Sequence, residues 1–283
     1  MIRSQRSAIA AFRRLHVEGC FVLPNPWDVG TAIYLQDLGF KALATTSAGY
    51  AFSRGKPDGA VPRDEMLLHI LEVVAATPLP VNADFLSGFA DALEGVAANV
   101  ALCIATGVAG LSIEDSTGQA NAPLYEEKLA AQRIKAARDV IDTSGAAVVL
   151  TGRCEAFLVG HSDPLRSALD RLIAYAEAGA DCLYAPGVSE PDDIAAIVKA
   201  VAPKPVNVLV SGFNSQLSLS QLADLGVRRV SVGSGLALAA WGAFARAARG
   251  IAVNGAFELL ADAIPFAELN QLFDLPAVDQ ARS

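Results

Sequence analysis

Residues 164–184 read PLRSALDRLIAYAEAGADCLY, and the order of residue types in them decides the fold. Pro164 to Ala178 places apolar residues at helical spacing. Gly179 follows, where a left-handed residue closes a helix before the chain turns back. Asp181–Tyr184 is then a short run suited to a buried strand. The same order of helix, glycine and strand recurs around Leu38-Gly39-Phe40, Thr106-Gly107-Val108 and Leu225-Gly226-Val227. Working outward, strand-like runs stand at Cys20–Leu23, Ala42–Thr45, Pro80–Ala83, Gly110–Ile113, Ala147–Thr151, Asp181–Tyr184, Val206–Leu209 and Arg229–Val232. Helical periodicity fills the intervals at Glu65–Ala76, Ala92–Thr106, Ala130–Thr143, Pro191–Val201 and Ser218–Leu225. Repeated βα units imply a parallel sheet, and eight of them within about 230 residues imply a (β/α)8 TIM-type barrel.

The rival is a doubly wound open sheet, which carries a glycine-rich phosphate loop after its first strand. Here Pro24-Asn25-Pro26-Trp27-Asp28 follows that strand, and no GxGxxG or GxxxxGK[ST] occurs. The expectation is one domain over 1–283, with a barrel core of about 18–245 and a helical extension of about 250–275. Ala237–Ile251 closes the barrel. Phe257–Phe273 is read as a surplus helix whose Leu259, Leu260, Phe266, Leu269, Leu272 and Phe273 pack on a partner subunit.

Apolar residues make up 53% of the chain and charged residues 18%, which supports a packed core and excludes bulk disorder. Thirty acidic against 22 basic side chains give a net charge of −8. That balance argues against nucleic acid or an anionic membrane as partner, since both reward a basic face. It leaves an anionic small molecule open, because a site can be locally positive or hold a metal. Arg3, Arg6, Arg13 and Arg14 recur at helical spacing, and the uncharged run Ser7–Phe12 is too short for a signal-peptide core. No uncharged apolar run approaches roughly 18 residues, so no membrane span is expected. Cys20, Cys103, Cys154 and Cys182 are scattered without a CxxC pair, and read as reduced core residues of a cytoplasmic protein.

In such a barrel the chemistry gathers where the C-terminal strand ends converge. Asp84, Glu114 and Asn82 then form an oxygen-rich group on adjacent strands, the donor type that holds Mg²⁺. Zinc is disfavoured because no Cys or His joins them. Arg153, one strand on, is a fixed cation suited to a substrate carboxylate. Ser47-Ala48-Gly49 offers backbone N–H groups to a further anionic oxygen. Competing structural readings stand beside these. Asp28 and Asp115 fit helix N-caps, Arg153 could serve only as counter-ion to Glu155, and a strand asparagine such as Asn207 often just satisfies a backbone group. His16 and His69 read as surface residues of helices, His161 as a loop residue and Cys154 as core packing.

These pieces resemble the isocitrate lyase and phosphoenolpyruvate mutase superfamily. The matching stretches are Thr45-Thr46-Ser47-Ala48-Gly49, Gly55-Lys56-Pro57-Asp58-Gly59, Val81-Asn82-Ala83-Asp84, Ser112-Ile113-Glu114-Asp115, Gly152-Arg153-Cys154-Glu155-Ala156-Phe157 and Val206-Asn207-Val208, in family order over residues 20–245. The resemblance implies a barrel with a C-terminal helix exchanged between subunits, assembled as a tetramer built from dimers. It implies Asp84 and Glu114 as ligands of Mg²⁺, with Mn²⁺ as a substitute, and Asn82 where most members carry another acid. It further implies Asp58 beside the metal and reacting group, Ser47, Ala48 and Gly49 on a 2-oxo-acid carboxylate, Arg153 on the substrate and Asn207 on its distal end.

The departures bear on the reaction. Family lyases carry a Lys-Lys-Cys-Gly-His loop after strand four, whose cysteine protonates the enolate product. Here residues 115–125 read DSTGQANAPLY, without cysteine, lysine or histidine. Thr45 replaces the strand-two tyrosine of the lyases, and Leu86 sets an apolar group beside the metal residues. Leu86, Tyr50, Phe52, Leu209 and the 116–125 loop are expected to shape the pocket, with Asp58 or a bound water as general base and Tyr125 as a source of a proton. The expectation is a Mg²⁺-dependent enzyme that acts on a small 2-oxo acid or its aldol adduct through an enolate, by carbon–carbon cleavage. Two alternatives stay open: a carbon–phosphorus enzyme of the mutase or phosphonopyruvate hydrolase kind, and a 2-oxo-acid binder without catalysis.

Overall fold

Eight short parallel strands alternate with helices in the computed structural model, which describes residues 4–212 and 216–274. The strands are β1 Phe21–Leu23, β2 Leu43–Ala44, β3 Val81–Asp84, β4 Gly110–Glu114, β5 Val149–Arg153, β6 Cys182–Tyr184, β7 Val206–Leu209 and β8 Arg229–Ser231. The helices are α1 Gln5–Leu15, α2 Val29–Asp37, α3 Ser47–Ser53, α4 Arg63–Ala76, α5 Leu93–Ala105, α6 Glu127–Ser144, α7 Pro164–Glu177, α8 Pro191–Val201, α9 Leu219–Asp224, α10 Gly235–Asn254 and α11 Phe266–Phe273. Neighbours pair from β2 through to β8, and β8 returns to β1.

The seam between β1 and β2 is closed by loop atoms. Ala44 N donates to Pro24 O at 3.0 Å. Asn25, just past β1, donates to Thr45 O at 2.9 Å and accepts from Val232 N and Gly233 N at 3.0 and 2.8 Å. One amide therefore fastens three strand ends. The eightfold barrel expected from the sequence is the architecture observed.

Alternation along each strand divides the residues between two faces. On β4, Leu111 and Ile113 are buried under the helices, while Ser112 and Glu114 turn inward. The N-terminal ends of the strands are covered by α1. Gln5 reaches Ile104 O and Val108 O, and Arg13 reaches Ala147 O and Asp181. Gly110 is required under this lid, because a Cβ there would lie 2.6 Å from both Asn82 Oδ1 and Phe12 Cε1.

The structure amends the sequence reading at several points. Strands β3, β4 and β5 run further than expected, to Asp84, Glu114 and Arg153, because the ladder continues through the pair Glu114–Arg153. The span read as one helix from 257 to 273 is a 3₁₀ turn, Glu258–Asp262, followed by α11. Pro265 separates them, since proline has no N–H and disfavours helix in the residue before it. His69 is not a surface residue. It is 2% exposed on α4 and stacks on Tyr50 at 3.8 Å, with burial pushing its pKa down to about 4. His16 caps α1 half-buried, and burial with the nearby Arg229 charge pushes its pKa down to about 3. All four cysteines are free thiols; three are buried and Cys20 is partly exposed. By length and composition alone α10, 20 residues long, could cross a membrane, and little of it is buried. It carries Arg246 and Arg249 and follows β8 as the eighth barrel helix.

Candidate active site

One rung of the barrel ladder carries five polar side chains. Register pairs Glu114 with Arg153, Arg153 with Tyr184, Tyr184 with Asn207, and Asn207 with Arg229. Asp84 stands at the end of β3 and pairs with Ser112. Inward-facing polar residues on a parallel sheet are costly unless partnered, so the partners define the site.

Arg153 is the hub. Its Nε lies 2.5 Å from Glu155 Oε1 and 3.4 Å from Glu114 Oε2, and its Nη1 lies 3.3 Å from Asp84 Oδ1. Its guanidinium also lies 5.3 Å from the centre of the Tyr184 ring. Burial opposes the Arg153 charge, yet Glu155, Glu114, Tyr184 and Asp84 together hold its pKa well above the usual value. Burial pushes the Glu114 carboxyl well above its usual range, with Arg153 working against that and Glu155 and Asp84 adding to it. The reading of Arg153 as counter-ion to Glu155 and the reading as a site residue both describe this geometry, because Glu155, Glu114 and Asp84 share the same guanidinium.

Asp84 links the hub to the second strand. Its Oδ2 accepts from Ser47 N at 2.9 Å, and its backbone N donates to Thr45 Oγ1 at 2.9 Å. Gly49 N is taken by the α3 cap, Thr46 Oγ1, at 3.2 Å. Of the three amides at 47–49, two thus have protein acceptors. Asp58 lies on the exposed loop between α3 and α4 and takes a hydrogen bond from Gly59 N. Desolvation first, then the charge of Asp84, pushes its pKa up, while contact with Ser47 opposes the rise. The structure therefore brings Ser47, Asp58, Asp84, Glu114 and Arg153 to one rim. Asn82 sits on β3 two residues deeper than Asp84, where a Cβ on Gly110 would touch it. Asn207 is 2% exposed and engaged by Arg229 and Ser231 inside the barrel.

A metal at this rim would meet oxygen donors only. Glu114 Oε2 is buried and has the 3.4 Å ion pair with Arg153 but no hydrogen bond, so it keeps a lone pair for a hard cation that retains several waters. Asn82 Oδ1 also lacks a hydrogen bond, but it lies beside Gly110 and Phe12 under α1, away from the rim at which the sequence reading sets it with the metal. The set is sparse: among the described residues no three His, Cys, Asp or Glu side chains stand in metal-holding geometry. Asp84 and Glu114 are the two carboxylates that fit such an ion.

Other residues build the rim from behind. Asp28 is the N-cap of α2, as expected, in a capping box with Thr31. Asp115 is no N-cap. It is 2% exposed, accepts from Glu155 N at 2.8 Å, Tyr175 OH at 2.7 Å and Arg171 Nη1 at 3.0 Å, and so sets the β5 end against α7. The loop after β4 is a small hairpin. Ser116 bridges Leu124, Thr117 N donates to Pro123 O at 3.0 Å, and Tyr125 N donates to Asp115 O at 2.9 Å. The Tyr125 hydroxyl is held by Asp91 at 2.6 Å, with Arg133 stacked 4.0 Å from its ring centre. Arg133 also donates to the carbonyls of Ser87, Ala90 and Asp91. Those bonds stabilise a loop in which Leu86 and Phe89 adopt left-handed φ of 48° and 56°.

Inside the rim lies a cavity of about 40 Å³ lined in part by Thr45, Asp84, Arg153, Tyr184, Asn207 and Arg229. The expected pocket shapers Leu86, Tyr50, Phe52, Leu209 and the 116–125 loop lie outside that lining. Tyr184 and Arg229 were not singled out by the sequence. The signal for both was a polar residue at inward parity in a short strand, which needs the register to be known.

The phosphoenolpyruvate phosphomutase family profile matches residues 12–252. An uncharacterized protein of Mycobacterium tuberculosis is 34% identical over 92% of this chain and 94% of its own length. A 2-methylisocitrate lyase of Halalkalibacterium halodurans is 28% identical over 81% of this chain and 76% of its own. A Burkholderia cenocepacia J2315 crystal structure bearing a lyase/mutase designation is 49% identical, with a TM-score of 0.93 over 96% of this chain and 98% of that one. With a profile match across most of the barrel and relatives that align nearly end to end, this chain belongs to the isocitrate lyase/phosphoenolpyruvate mutase superfamily of lyases, mutases and hydrolases.

Proposed function

We propose that this protein is a metal-dependent enzyme acting on a small 2-oxo acid or its aldol adduct, and that it breaks a carbon–carbon bond through an enolate. The observation that carries the reading is the convergence of Asp84 and Glu114 on Arg153, at 3.3 and 3.4 Å, at one strand-end rim. Asp84 and Glu114 would hold Mg²⁺, or Mn²⁺ in its place. When bound, that ion would supply a Lewis acid for the carboxylate and carbonyl oxygens of the 2-oxo acid.

The chain's own groups perform the remaining tasks. Arg153, fixed by Glu155, presents a preorganised cation to a substrate carboxylate. Ala48 N, at the start of α3, has no acceptor among the described residues and faces the same task as a neutral donor. Asp58, whose pKa is raised, is the base that takes the hydroxyl proton of an aldol adduct as its carbon–carbon bond breaks. Tyr125 is a poor proton source, since Asp91 and Arg133 hold it.

A second reading, cleavage or migration of a carbon–phosphorus bond, stays open because the hairpin at 116–125 lacks the cysteine, lysine and histidine of a lyase loop; the same lack favours a 2-oxo-acid binder without catalysis. Phosphorus NMR with phosphonopyruvate separates the second reading from the main one. The exposed Phe244, Phe257 and Phe266 support an assembly of several copies, for which the family resemblance implies a dimer of dimers. The experiment that tests the main reading is calorimetry of oxalate in the presence and absence of Mg²⁺. Binding only with the metal supports it, and binding of neither to the protein removes it.

A further inference from the structure

An enolate formed at this rim leaves as a 2-oxo acid only when its carbon gains a proton, and most groups there have no proton to give. Arg153 is held charged by three carboxylates within 3.4 Å. Asp58 is occupied with the hydroxyl of the departing half. The Tyr125 hydroxyl is tied to Asp91 at 2.6 Å. Ser112 Oγ donates to Ala83 O at 3.3 Å, and Thr45 Oγ1 faces the Asp84 N–H at 2.9 Å. Tyr184 remains, and a phenol is the acidic hydroxyl among side chains. It closes β6 and lines the interior cavity with Asp84 and Arg153. Its register partner on β5 is Arg153, so both side chains turn inward, with the guanidinium 5.3 Å from the ring centre.

Hydrogen bonds of fixed direction lead to this phenol. A guanidinium only donates, so Arg229 Nε, 2.9 Å from Asn207 Oδ1, fixes which end of that amide is the oxygen. Asn207 Nδ2 therefore donates to Ser231 Oγ at 2.9 Å. The Ser231 proton turns the other way, and its contact with the Tyr184 oxygen lowers the pKa of the phenol. Tyr184 thus accepts from Ser231, and its own hydrogen has no acceptor among the described residues. The cavity of about 40 Å³ that it lines is the space left for that hydrogen's partner. Burial outweighs Arg153 and Ser231 and pushes the pKa up to about 12. The phenol therefore keeps its proton until a strong base meets it, and an enolate carbon is such a base. The phenolate left behind would face the Ser231 hydroxyl and the Arg153 charge.

We infer that Tyr184 is a further catalytic residue, the acid that protonates the enolate carbon, and that Arg229, Asn207 and Ser231 position its hydroxyl. The inference rests on the 2-oxo-acid reading of the rim. The step balances. Asp58 takes the hydroxyl proton of the adduct as the carbon–carbon bond breaks, and the bonding pair becomes the enolate. That pair then takes the Tyr184 proton, so a C–H bond forms as the O–H bond breaks. Water returns a proton to the phenolate and receives the one on Asp58.

The reverse of the protonation is exchange of the methyl protons of pyruvate in D₂O, read by proton NMR on the full chain with Mg²⁺. The wild type is expected to exchange them. Tyr184→Phe, which keeps a ring against Arg153, should slow the exchange by at least about a hundredfold, and a smaller loss overturns the inference. Calorimetry of oxalate with Mg²⁺ runs beside it, because oxalate imitates the enolate and has no carbon to protonate. There Tyr184→Phe should stay within about tenfold of the wild type, the size of one neutral hydrogen bond. A wild type that binds oxalate yet leaves the methyl protons in place also overturns the inference. A wild type that binds no oxalate with Mg²⁺ overturns the rim reading itself. A crystal of the wild-type complex with Mg²⁺ and oxalate decides without a variant: a Tyr184 hydroxyl within hydrogen-bond reach of an oxalate oxygen supports the inference, and one out of reach ends it.

Discussion

Arg153 Nη1 lies 3.3 Å from Asp84 Oδ1, while the other oxygen of Asp84 accepts the Ser47 N–H at 2.9 Å. One carboxylate thus ties the end of β3 to the end of β5 and to the first turn of α3. Its position makes it the brace of the residues around it and, on the proposed reading, a metal donor as well.

Asp84→Ala removes both roles. Mg²⁺-dependent oxalate binding, read by calorimetry, is expected to fall by more than about a hundredfold, the upper end of what even an outer partner of a metal site contributes. Affinity equal to wild type would show that the rim is not the metal site.

Asp115→Ala should cost stability rather than chemistry alone. The carboxylate is buried and receives Arg171, Tyr175 and the Glu155 amide. Its loss leaves the buried Arg171 without a counter-charge, a class of change that costs about 3–5 kcal/mol. Urea denaturation measures it, and a loss below about 1 kcal/mol would contradict the role assigned here.

His69 makes stability depend on pH. Its native pKa is pushed down to about 4 from 6.5, so the native state keeps it neutral while the unfolded chain takes the proton. The contribution is present above 6.5 and is lost as pH falls from 6.5 toward 4, by up to about 1.4 kcal/mol per pH unit. His69→Phe retains a ring against Tyr50 and has no proton to take. Wild type should therefore lose stability relative to the variant across that interval. A difference that stays flat with pH would contradict the burial argument; His16, present in both proteins, cancels.

Phe244 and Phe266 are 62% and 82% exposed on α10 and α11. The proposed assembly would cover these rings. Mass measurement in solution should find more than one chain, and Phe244→Glu with Phe266→Glu should shift it to one. A wild-type protein that is monomeric at all concentrations would contradict the assembly.

The barrel was legible because glycines after apolar helices and eight short runs repeat one pattern that few folds allow. Asp84, Glu114 and Arg153 were legible because charges at successive strand ends in a barrel converge. The rest depended on register. Arg229 opens a strand and Tyr184 closes one, and a slip of one residue would turn either outward. His69 sits in MLLHILEVV, apolar on every side, so the pattern does not say which face of α4 is covered. The amides of 47–49 resemble an anion cradle in sequence, yet Asp84 and Thr46 take two of them, because α3 begins there and caps itself.

The hairpin after β4 is held at its feet: Tyr125 N grips Asp115 O, and Ser116 bridges Leu124. Everything between is a detachable tip. Residues 117–123 can therefore be lengthened, shortened or exchanged without displacing Glu114 or the strand beneath it. In this scaffold the tip of the hairpin is free to vary in sequence while the strand end beneath it keeps its place.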